Sequence, residues 1–98
     1  MSRVLIQHFS DGCKFVASLN GAKAVLNYKK LPKNVIDIYH TEVPVEFRGK
    51  GIAKQLCDSA FAYAAKNNLF VKPSCSYALK YASNASKEFK DIVIWPHA

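Results

Sequence analysis

Arg48-Gly49-Lys50-Gly51-Ile52-Ala53 stands where an extended run of sequence ends and a helical pattern begins. Two glycines let the chain bend there and bring its backbone close to a ligand. The first-turn amides of a helix have no internal partner, and the aligned peptide dipoles add positive potential at that end. A diphosphate is a natural guest for such a turn. Arg48, Lys50 and Lys54 bring mobile cations to the same point. The spacing R-x-x-G-x-A lacks the third glycine of a dinucleotide fingerprint and the terminal Lys-Ser/Thr of a P-loop. It points away from NAD and ATP, towards another phosphate-bearing ligand. A plain tight turn into a helix is the competing account.

The period of the sequence changes across this turn. After it, from Lys50 to Lys66, the apolar residues Ala53, Leu56, Cys57, Ala60, Phe61 and Ala64 recur at the spacing of one helical stripe. Before it, Val35 to Val43 reads as a strand. Upstream, Val4 to His8 is a short extended run closed by Asp11-Gly12. Lys14 to Leu19 and Ala22 to Tyr28 alternate on either side of Asn20-Gly21, a strong hairpin signal. Leu31-Pro32-Lys33-Asn34 makes the next turn, so the first four strands form an antiparallel meander.

Downstream of the helix, Leu69 to Lys72 suits a buried strand parallel to the fourth, with the helix as crossover. Ser74 can cap a second helix over roughly Cys75 to Asn84. Glu88 to Trp95 closes the chain as a short segment of undecided type. The resulting fold class is α/β, in the order β-β-β-β-α-β-α. The glycine turn then lies at the carboxyl end of a strand, where open α/β sheets bind ligands.

With 98 residues, 50% of them hydrophobic, the chain has room for one domain with one core, spanning 1–98. Fourteen Lys+Arg against 7 Asp+Glu give a net charge of +7. Such charge can attract nucleic acid, an anionic membrane surface or a polyanionic cofactor. The lysines are scattered, with no run beyond Lys29-Lys30, which reads as solvated surface and not as a nucleic-acid site. Cys13, Cys57 and Cys75 form no C-x-x-C pair and fit neither a zinc spacing nor a disulfide framework. An intracellular location, cytoplasmic or nuclear, is expected, and no segment approaches membrane-spanning length.

The combination of His40-Thr41-Glu42-Val43-Pro44, Arg48 to Ala53, and Pro73-Ser74-Cys75-Ser76-Tyr77 resembles a subfamily of short members of the GNAT acetyltransferase superfamily. The resemblance runs from about Val4 to Asp91. It implies a GNAT-like mixed sheet, mostly antiparallel with a splayed parallel pair, and acetyl-CoA or CoA as ligand. The loop Arg48, Gly49, Lys50, Gly51, Ile52, Ala53 and Lys54 would hold the pyrophosphate through backbone amides. The pantetheine arm would run beside Glu42, Val43 and Pro44, and the thioester would sit between the splayed strands near Val43, His40 and the Pro73-Ser74-Cys75 turn. An amine would be the acceptor. Ordinary GNAT enzymes carry extra helices between their first two strands that help form the acceptor site; here Asp11-Gly12 makes a tight turn in that place.

Four residues are candidates for the chemistry. Cys75, at the start of the second helix, would have its thiolate stabilised and could relay an acyl group, or it is an inert thiol packed near the ligand. His40 is expected to share a strand face with Ile36 and Ile38, as a general base or as a core-edge histidine. Glu42 is a second candidate base, or a surface carboxylate paired with a lysine. Tyr77 and Tyr81 share a face of the second helix, and the resemblance implies that Tyr81 protonates the departing CoA thiolate; packing is the alternative for both. Cys57 reads as core, and Trp95 and Pro96 as cover for a core edge. His8 and His97 belong to no constellation. A CoA or acyl-CoA binding module without turnover is the alternative to an acetyl-CoA-dependent N-acyltransferase.

Overall fold

The computed structural model describes residues 4–96; Arg3 and His97 lie outside the described residues. Strands β1 (Ile6–Phe9), β2 (Lys14–Leu19), β3 (Ala22–Leu31) and β4 (Val35–Glu42) come first, followed by a 3-10 turn at Val45–Phe47. Helix α1 (Ile52–Lys66), strand β5 (Phe70–Pro73), helix α2 (Ser76–Ser83) and the short helix α3 (Lys87–Lys90) complete the chain. The four leading strands make an antiparallel meander and β5 pairs parallel to β4, so the sheet order is β1-β2-β3-β4-β5. The expected α/β order holds, with the 3-10 turn and α3 as additions.

Local chemistry explains the connections. Asn20 and Gly21 both have positive φ, 51° and 83°, as the tight hairpin turn between β2 and β3 requires. The apolar stripe of α1 buries Leu56, Cys57, Ala60, Phe61 and Ala64 against Phe15, Ala17, Leu26, Tyr28, Ile36 and Ile38 of the sheet. Cys57 is fully buried, as its place on the stripe predicts. His8, to which the sequence assigned no partner, stacks flat on Phe15 at 4.1 Å and meets the Tyr28 hydroxyl at 2.7 Å. Burial, then the charge of Lys30, pushes its imidazole below the usual range. Its job is packing.

Two irregularities in β4 position the functional end of the molecule. Tyr28 pairs with Ile38 but Asn27 pairs with His40, so Tyr39 is an extra residue, a β-bulge. A bulge reverses the alternation beyond it. Thr41 therefore pairs with buried Leu26 on the helix-covered face, while His40 and Glu42 are exposed on the other face. The expectation that His40 shares a face with Ile36 and Ile38 fails because of that one residue.

The second irregularity is the end of the parallel pairing. It runs from Val35↔Phe70 to Ile38↔Pro73 and is extended once more by the Cys75 amide, which donates to the Ile38 carbonyl at 2.9 Å. Pro73 has no amide hydrogen, and the Ser74 amide turns back to the Lys72 carbonyl at 3.1 Å. The chain then leaves as α2, and Tyr39 to Glu42 of β4 have no β5 partner. The result is the expected splay.

The outer edge of β5 is covered by the C-terminal segment. The Val71 amide donates to Ile92 at 2.9 Å and the Ile94 amide to Val71 at 2.8 Å. Trp95 is 43% exposed, so it does not cover the core edge. It borders a hollow beside Pro73, Ser74 and Leu79. Among the described residues no helix is long and apolar enough to cross a membrane.

Candidate cofactor and active site

The glycine turn is an open cradle of amides. Gly49 and Gly51 have φ of 80° and 72°, a region that favours glycine. A Cβ added at Gly49 would meet nothing within 4 Å, so glycine is needed there for its dihedral and the space above it is free. The Lys50 amide donates to Phe47 at 3.3 Å, and the Gln55 amide closes the first α1 hydrogen bond on the Gly51 carbonyl at 3.1 Å. Among the described residues, the amides of Gly49, Gly51, Ile52, Ala53 and Lys54 have no backbone acceptor. Gly51 is the N-cap of α1 and brings no side chain to occupy them. Above them lies a hollow of about 260 Å³ lined by Val43, Arg48, Gly49, Gly51, Lys54 and Tyr77 among others. This donor set fits a diphosphate.

Cys75 occupies the splay. It is the N-cap residue of α2, in place of Ser74, and it is half-buried. Its sulfur lies 3.5 Å from the Thr41 hydroxyl, across the gap that β5 leaves open. Burial pushes the thiol pKa up, but the Thr41 hydroxyl and the amides of Ala78, Tyr77 and Thr41 outweigh burial, and the net direction is down. None of the α2 amides closes a capping hydrogen bond of full geometry, so their dipoles act on the sulfur at longer range. Cys57 is the opposite case, with burial pushing its thiol up to about 12. Iodoacetamide should therefore label Cys75 at a lower pH than an ordinary thiol and leave Cys57 untouched in the native protein. Thr41→Val removes a stabiliser of the thiolate, so labelling should slow at neutral pH and its midpoint should move up. Peptide mass spectrometry across a pH series reads both effects; equal labelling of Cys57 and Cys75 would contradict them.

His40 and Glu42 point away from this pair. They form their own contact, His40 Nε2 to Glu42 Oε1 at 3.5 Å, on the uncovered face of the sheet. With side chains 50% and 71% exposed, this is a solvated pair and not a buried base. Glu42 thus pairs with His40, where the surface alternative expected a lysine. The structure brings Cys75 together with Thr41, and not with His40.

Tyr81 is committed elsewhere too. Its hydroxyl donates to Asp58 Oδ1, and Lys54 Nζ donates to Asp58 Oδ2 at 3.2 Å. Burial, then Asp58, raises the phenol pKa well above its usual range. Tyr77, whose pKa burial also raises, lines the hollow above the cradle with Val43. Sequence reasoning gave no role to Thr41 or Asp58. Asp58 was legible as the i+4 partner of Lys54 on a helix. Thr41 was not, because its orientation depends on the bulge.

A family model described as GCN5-related N-acetyl-transferase matches residues 14–92. "Protein NATD1" of Xenopus tropicalis is 38% identical over 82 residues, covering 82% of this chain and 75% of the relative. The Homo sapiens "Protein NATD1" is 36% identical over 80 residues, covering 80% of this chain and 71% of the relative. Among solved structures, a GCN5-like protein from Staphylococcus aureus superimposes with a TM-score of 0.71 at 30% identity, over 99% of this chain and 94% of that one. The open amide cradle, the splayed strands and these likenesses agree: the chain belongs to the GCN5-related N-acetyltransferase family.

Proposed function

We propose that the protein is an acetyl-CoA-dependent N-acyltransferase acting on an amine. The observation that carries this reading is the set of unpartnered amides at Gly49, Gly51, Ile52, Ala53 and Lys54, beside the hollow that Val43 and Tyr77 also line. Those amides, with Arg48 and Lys54, would hold the pyrophosphate, and the free edge at Val43 and Pro44 would guide the pantetheine arm. Bound acetyl-CoA would supply an acetyl group already activated as a thioester.

The chain's own contribution is position and proton handling. Cys75, held between Thr41 and the start of α2, offers a thiol whose pKa the Thr41 hydroxyl and nearby amides lower, beside the place where the reacting carbonyl is expected. That contact favours a second route in which Cys75 carries the acyl group before the amine takes it. His40 and Glu42, a solvated pair on the uncovered face, would in this reading accept a proton from an amine arriving from solvent. The three cysteines are all free, in keeping with a reducing, intracellular setting.

The test is release of CoA from acetyl-CoA, read with a thiol reagent, across a panel of primary amines. Amine-dependent release supports the enzyme. Saturable binding with no release under any amine would leave a binding module instead. Cys75→Ala separates the routes, since direct attack keeps its rate and the relay loses it.

A further inference from the structure

Helices α1 and α2 pack on one face of the sheet, and the pairing register tells what the other face carries. Phe9, Lys14, Asn27 and His40 form one row across β1 to β4. Lys29, Asp37 and Lys72 form another across β3 to β5. Lys23 and Phe70 lie on the same face by the alternation of β3 and β5. The bulged Tyr39 joins them, since the Lys29 ammonium lies 4.9 Å from its ring centre. Lysines that are scattered along the sequence are thus gathered, and Lys14, Lys23, Lys29 and Lys72 are all exposed. Two carboxylates share the face, the buried Asp37 and Glu42, which faces His40 at 3.5 Å, so the exposed charge is mainly positive.

The same face holds aromatic rings that the core does not use. Among the described residues, the large aromatic side chains left exposed are Phe9, Tyr39, Phe70 and Trp95. The first three lie on this face, 43–47% exposed, and Trp95 stands at its rim, bordering a hollow with Lys72. The ring faces are open enough to take cations: Lys14 Nζ is 5.9 Å from the Phe9 centroid, as Lys29 Nζ is 4.9 Å from that of Tyr39. Rings interleaved with lysines on an open sheet meet both needs of an unpaired nucleic-acid strand. Rings stack on bases of any identity, and lysines meet phosphates. An acidic protein surface would use the lysines and leave the rings idle. With strands about 4.8 Å apart and residues about 3.3 Å apart, Tyr39 stands roughly 14 Å from both Phe9 and Phe70. Each ring therefore takes a separate base of an extended strand.

We infer that the open face of the sheet binds single-stranded nucleic acid, with Phe9, Tyr39 and Phe70 stacking on bases and Lys14, Lys23, Lys29 and Lys72 meeting phosphates. This goes beyond the acyl-transfer reading and stands or falls independently of it.

The experiment follows the fluorescence anisotropy of a short labelled oligothymidylate as the protein is added over a series of salt concentrations. Binding should saturate, and log affinity against log salt should have a slope of about −3, four phosphates at roughly 0.7 each. Tyr39→Ala and Phe70→Ala should each weaken binding about tenfold, the loss expected for one stacked base, with the salt slope unchanged. Lys29→Gln and Lys72→Gln should each reduce the slope by about 0.7. Lys66→Gln, the same loss of charge in the last turn of α1, should leave affinity near wild type, and excess CoA should not displace the strand. These side chains are exposed, so the variants keep the fold, which circular dichroism checks. The inference is overturned by binding that never saturates, by ring variants that bind as wild type, or by Lys66→Gln weakening binding as much as Lys29→Gln. A duplex bound as tightly as the single strand overturns it too. Displacement by CoA would move the strand to the cofactor site, and displacement by polyglutamate at equal charge would give the face to an acidic protein; either result overturns it.

Discussion

Gly51→Asp should weaken CoA binding roughly a hundredfold while the sheet stays folded. Gly51 has a φ of 72° and caps α1 without a side chain. A non-glycine residue in that region costs about 1–2 kcal/mol, and Asp pays least because its short carboxylate can bond locally. At an N-cap the carboxylate would also accept from the second or third amide of the helix. The helix gains a cap, and the ligand loses its donors. It further meets a negative charge where the diphosphate belongs, and a like-charge contact costs several kcal/mol. A combined loss of about 3 kcal/mol lowers affinity roughly a hundredfold. Gly51→Ala, which strains the turn but adds no charge, should lose much less. Calorimetry on both variants makes the comparison; near wild-type affinity in Gly51→Asp would remove the cradle from the account.

Phe61→Ala should be the most damaging change in the core. Phe61 is fully buried on the α1 stripe and supports Tyr81 and Phe89 from below. Emptying a buried Phe site costs about 3–5 kcal/mol, transfer and cavity together. A small domain has only about 5–15 kcal/mol to lose. The melting temperature should fall by roughly 15 °C or more, at 4–8 °C per kcal/mol for this size. Thermal unfolding followed by circular dichroism reads the effect. A shift of only a few degrees would mean that the surrounding rings collapse into the space.

The parts of the fold set by short-range rules were legible from the residues. Asn20-Gly21 dictated its turn through two positive φ values, and the α1 stripe predicted the burial of Leu56, Cys57, Ala60, Phe61 and Ala64, although Ala53 is only partly buried and Ile52 is buried in its place. The parallel β5 followed from a short apolar run after a crossover helix. What escaped was a single inserted residue. Tyr39 bulges from β4, and nothing in its side chain announces this, because the extra residue is accommodated by pairing with β3 and not by local propensity. That one shift moved His40 away from Cys75 and put Thr41 in its place. The position of Cys75 at the start of a helix was visible, but the hydroxyl facing it was not. The cradle was the most readable element of the site, since its glycines serve backbone geometry directly.

The most direct measurement of the central claim is an amide-resolved NMR titration of acetyl-CoA into the labelled wild-type protein. The account predicts saturable shifts concentrated at Gly49, Gly51, Ile52, Ala53 and Lys54, with smaller ones at Val43 and Cys75. It would be contradicted by shifts that never saturate, or by saturable shifts that spare the glycine turn.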